Sequence, residues 1–87
     1  MTKHLMSKPT TPKERLQTCV REAIAQYFVT LDGANANNIY TLVIEQVEQP
    51  LLETVLQHAH NNESLAAKWL GISRNTLRKL KEKYKIA

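Results

Sequence analysis

The sequence has one cysteine and two glycines in 87 residues, and each scarcity removes a class of function. With Cys19 alone, no disulfide can form within the chain. A lone thiol suits a reducing compartment, where it packs as a small apolar group; a bridge between two chains through Cys19 is the alternative. Gly33 and Gly71 are too few and too far apart to build a glycine-rich phosphate loop. No apolar run approaches the roughly 20 residues that span a bilayer. The start, "MTKHLMSKPTTPKERL", also lacks the apolar centre of a signal peptide. A cytoplasmic location and no membrane partner are therefore expected. His58 and His60 form H-x-H, but side chains two apart on a helix point about 200° apart and cannot share a metal. Cys19 has no base beside it in the helical pattern. No enzyme, metal or cofactor is expected.

What the chain does have is charge on one side. The net charge is +4. From His58 to the end, seven bases stand against two acids, whereas the first 57 residues hold five bases against six acids. Basic charge gathered in one terminal module is the footprint of a face for a polyanion, although a solvated tail has the same composition. A chain this short buries a modest core, so self-association is an expected way to complete it.

Periodicity separates the chain into an arm and four helices. Residues 1–13 carry Pro9 and Pro12 without an apolar period and read as a flexible arm. From Glu14, the residues Leu16, Val20, Ala23, Ile24, Tyr27, Phe28 and Leu31 fall on one helical face, which Asp32–Gly33 ends. After "ANANN", Asn37 or Asn38 is placed to cap "IYTLVIEQVEQPLLETVLQHAH". There Ile39, Leu42, Val43, Val47, Leu51, Val55 and Leu56 trace a stripe that Ile44 and Leu52 widen. Apolar over so much of its circumference, this helix needs cover on several sides, which a second copy of the chain supplies. Pro50 predicts a kink within it; the alternative is a break into two helices. Asn62 or Ser64 then caps a short helix reaching Leu70, and Ser73 caps another from Arg74 to Tyr84. The expected division is an arm at 1–13, a helical dimerisation core at 14–60 and a helix-turn-helix at 61–87. The fold class is all-α.

The last two helices meet at "GIS" with the spacing of a helix-turn-helix. Ala67 lets the helix backbones approach, Gly71 permits the turn, Ile72 fills the corner, and Leu77 and Leu80 face the first helix. In such a motif the first turn of the second helix faces base edges. Ser73, Arg74 and Asn75 are the candidate base contacts. Arg74 leads because its planar fork can donate twice to guanine. Thr76, Arg78, Lys79, Lys81 and Lys83 are candidates for phosphates, as are Asn62 and Ser64 at the start of the preceding helix. Trp69 reads as a packing residue, and Lys68 is left without a role.

"NIYTLVIEQVEQPLLETVLQ" and "AAKWLGISRNTLRK" resemble the Fis family of small bacterial nucleoid proteins (factor for inversion stimulation), over about Leu16 to Tyr84. The resemblance implies two long helices intertwined in a homodimer core, plus a C-terminal helix-turn-helix. It implies binding to double-stranded DNA at degenerate, A/T-centred sites, DNA bending, transcription regulation and a place in the bacterial nucleoid. RNA polymerase or other DNA-bound proteins are the further partners it implies. Carried over by position, Arg74 is the principal base contact, and Asn62, Ser64, Thr76, Arg78, Lys79 and Lys83 contact the backbone. The chain departs from the family in three places. Ser73 stands where the best-known members have Asn. The usual "LRKKLKKYG" is "LRKLKEKYK". The arm has Pro9 and Pro12 and no hairpin turn signal, so DNA bending is carried over and activation of site-specific invertases is not. The rival reading is a module whose basic helix binds an acidic protein partner.

Overall fold

The computed structural model describes residues 11–31 and 37–87, which form four α-helices and no strand. These are α1 (Pro12–Leu31), α2 (Ile39–His58), α3 (Glu63–Leu70) and α4 (Arg74–Lys83). The expected stop at Asp32–Gly33 and most of the expected arm lie outside the described residues. The chain divides into two compact units between Asn37 and Asn38. Compactness thus groups α2 with the helix-turn-helix.

In the first unit, α1 begins two residues before the apolar period does. Thr11 Oγ1 accepts from the Glu14 amide at 3.0 Å, and Glu14 Oε1 accepts from the Thr11 amide at 3.3 Å. This reciprocal pair is a capping box, with Pro12 at the first helical position, where its missing N–H costs nothing. Val20, Ile24 and Tyr27 are half-buried, whereas Leu16, Phe28 and Val29 are exposed. Cys19 is exposed as well, not packed as an apolar group.

In the second unit, α2 runs unbroken through Pro50. Asn38 precedes it in the left-handed region and makes no side-chain cap, so the cap expected there is not formed. The core is Leu52 and Leu56 from the end of α2, Ala59 just beyond it, Ala66 and Ala67 from α3, and Leu77 from α4. Val55, Leu65, Leu70, Ile72, Leu80, Tyr84 and Ile86 pack around it. Burying a leucine such as Leu52 or Leu77 stabilises the fold by about 1.5–3 kcal/mol relative to leaving it exposed. Leu56, placed by the apolar stripe among the dimer residues, is buried within this core of its own chain. The stripe is broad enough that α3 and α4 cover one edge of it.

Three helices of this unit close in the same way. The amides of Asn61, Ile72 and Ile86 reach back to the carbonyls of Leu56, Ala67 and Lys81 at 2.8, 3.1 and 2.9 Å. Just before each of them stands a residue with positive φ: His60 (54°), Gly71 (77°) and Lys85 (53°). This is the Schellman closure, in which the left-handed residue turns the chain so that orphan carbonyls find donors. Only one of the three positions holds the residue best suited to it.

Candidate nucleic-acid interface

The first turn of each short helix is fixed by its own side-chain cap. Asn62 Oδ1 accepts from the Leu65 amide at 3.1 Å, leaving Ser64 exposed on the first turn of α3. Ser73 Oγ accepts from the Thr76 amide and donates to Thr76 Oγ1, both at 3.0 Å. A hydroxyl has one hydrogen and two lone pairs, so Ser73 retains a single acceptor site for any outside group. Thr76 keeps its own hydrogen to donate. Gly71 supplies the turn between the helices by conformation alone, since a Cβ there would meet nothing within 4 Å.

Arg74 and Asn75 are exposed on the first turn of α4, and Lys79 is exposed farther along it. None of the three makes a side-chain hydrogen bond or ion pair with the described residues. The remaining cations of α4 are engaged. Arg78 Nε and Lys81 Nζ donate to the two oxygens of Glu63 at 3.3 and 2.8 Å. The Lys81 side chain is only 17% exposed. Lys81, a candidate phosphate contact in the sequence, lies against Glu63 of α3 in the structure. Lys83 pairs with Glu45 of α2 at 3.3 Å and lies 5.3 Å from the ring centre of Tyr84, whose hydroxyl donates to Glu48. Lys81 and Arg78 hold the Glu63 carboxyl below its usual range, and Glu45 raises the Lys83 ammonium above its own.

The periodicity did not reveal Glu63, Glu45 or Glu48 as partners of the basic helix. Glu45 and Glu48 are three apart, hence on one face of α2, and that spacing opposite a cationic helix was the available signal. Trp69, expected to pack, is exposed. The histidines also differ from expectation: α2 ends at His58, and His60 lies in the turn beyond it, so they do not share a helix. Among the described residues, no three His, Cys, Asp or Glu side chains are grouped to hold a metal. No described helix is long and apolar enough to cross a membrane.

Of the candidate dimer residues, Ile39, Val43, Val47 and Val55 are half-buried, while Leu42 and Leu51 are exposed. Tyr40 is also exposed on α2.

Comparison with known proteins agrees with this architecture. Residues 43–82, spanning most of α2 and nearly all of the helix-turn-helix, match the family described as "Bacterial regulatory protein, Fis family". A Fis-like DNA-binding protein of Ralstonia nicotianae is 52% identical over 64 residues, covering 74% of this chain and 83% of the relative. The DNA-binding proteins Fis of Proteus mirabilis and Sodalis glossinidius are each 41% identical over 78 residues, covering 90% of this chain and 80% of theirs. With α3 and α4 meeting at Gly71 and relatives of this identity along most of its length, the chain belongs to the Fis family.

Proposed function

We propose that this protein is a DNA-binding transcriptional regulator that acts as a homodimer and bends its sites. One observation carries the reading: Arg74 and Asn75 stand exposed and without a partner among the described residues, on a first turn whose direction Ser73 and Gly71 fix. In a helix-turn-helix, that turn faces the major groove. Arg74 reads guanine, Asn75 reads an adjacent base, and Ser73 offers one lone pair to a base donor. Asn62, Ser64, Thr76, Arg78, Lys79 and Lys83 line the phosphates, and the three donors of the Lys83 ammonium let it do so without leaving Glu45. Lys81 is assigned to the contact between α3 and α4 rather than to DNA. The dimer forms through Ile39, Leu42, Val43, Val47, Leu51 and Val55. In its support, Tyr40, Leu42 and Leu51 of α2 are exposed among the described residues. The protein works in the cytoplasm on the nucleoid, and RNA polymerase is a partner suited to such a regulator.

Binding to duplex DNA over a salt series, with fragments bearing the site centrally or near one end, tests both halves of this reading. Arg74→Ala is expected to cost about 1–3 kcal/mol on preferred sites and to flatten the preference among sequences. Binding of preferred and random duplexes by Arg74→Ala just as by the parent would remove the assignment of Arg74. Equal mobility of the two fragments would remove bending. A co-purifying acidic protein in place of nucleic acid would favour a protein-binding module.

A further inference from the structure

Glu63 touches two cations of α4 at once, and the two are not equivalent. Lys81, only 17% exposed and 2.8 Å from Oε2, is the fixed partner. Arg78 is 51% exposed and reaches Oε1 at 3.3 Å through Nε alone, so the rest of its guanidinium remains open. A carboxylate and a phosphate present the same anionic oxygens to a guanidinium. Glu63 therefore holds, in the free protein, the place that a backbone phosphate takes against Arg78. Resting on the DNA reading above, we propose that Glu63 is an internal competitor that Arg78 exchanges for a phosphate when DNA binds, while Lys81 keeps the carboxylate in position.

The exchange has a signature that a structural role alone lacks. A free arginine meeting a phosphate displaces a counterion from the DNA. When Arg78 leaves Glu63, an ion pair that salt also screens is broken as the phosphate contact forms. The contact then adds little to the salt dependence. Removing the charge at position 63 restores that counterion to the balance.

The test uses the full chain with Glu63→Gln, Arg78→Ala and their combination, titrated with duplex over a KCl series. Glu63→Gln is expected to bind about two- to five-fold tighter at low salt, as fits a screened surface ion pair. Its plot of log K against log salt steepens by up to about one. In the Arg78→Ala background both gains shrink to the general effect of one lost negative charge. Glu82→Gln makes the same charge change on α4, where Glu82 has no ion pair among the described residues, and its smaller gain persists without Arg78. Thermal melts accompany each variant. Should Glu63→Gln melt well below the parent, the pair Glu63→Gln with Lys81→Met removes the half-hidden cation left unpaired, and the same gains are expected from it. Parent-like affinity and slope in Glu63→Gln, or gains in the Arg78→Ala background as large as in the parent, overturn the proposal. A parent that binds no duplex overturns the DNA reading itself, a separate and visible failure.

Discussion

At the scale of single residues, His60 and Lys85 occupy helix-closing positions that suit glycine. The left-handed region costs an L-residue about 1–2 kcal/mol, and glycine gives back roughly half of that gain through its greater freedom when unfolded. His60→Gly and Lys85→Gly should therefore each stabilise the protein by about 0.5–1 kcal/mol, seen as a rise of a few degrees in Tm. Gly71→Ala should do the reverse. No atom obstructs its Cβ, so that loss would be purely one of backbone conformation. Unchanged melts for both glycine variants would mean that these turns relax out of the left-handed region in solution.

At the scale of elements, the joint between α3 and α4 depends on acid. Glu63 is held below the ordinary carboxylate range by Lys81 and Arg78. Its folded pKa is depressed, so its contribution is complete above the unfolded value. That contribution fades as pH falls from the ordinary range through the lower folded value. Melts of the parent and Glu63→Gln, compared from neutral pH downward, should converge in that window; a constant difference would mean the carboxylate does not titrate against these cations. Chemistry that acts between near neighbours was legible without a structure. Ala67, Gly71, Ile72, Leu77 and Leu80 announce the helix-turn-helix because each slot has a local steric reason. Glu63 was not legible as a bridge, since its partners lie 15 and 18 residues away and meet it only once the helices cross. Leu56 and Leu51 share one broad apolar stripe, and periodicity cannot say which edge the protomer covers for itself. The box at Thr11–Glu14 was legible in "TPKE", where the proline draws attention as a break rather than as a first helical residue.

At the scale of the whole molecule, adjacent leucines on α2 allow the proposed assembly to be tested apart from folding. Leu51 is 46% exposed, and Leu52 is 2% exposed. Leu51→Glu should leave the helical circular dichroism in place while sedimentation shifts from dimer toward monomer and DNA affinity falls. Leu52→Glu should unfold the second unit outright, because it leaves a charge in the core without a partner. A dimer that survives Leu51→Glu would place the interface elsewhere. The two ties from α4 to α2, Lys83 with Glu45 and Tyr84 with Glu48, carry a mechanical meaning for such a dimer. In the dimer proposed above they would brace α4 against the helix that meets the partner, so that the two heads would form a caliper of set gauge. A duplex that does not fit the gauge must then supply the compliance. Loosening the braces with Glu45→Gln and Glu48→Gln together should make the bend smaller or more variable by energy transfer between duplex ends. The curvature of the DNA would then be dictated by two carboxylates that never touch it.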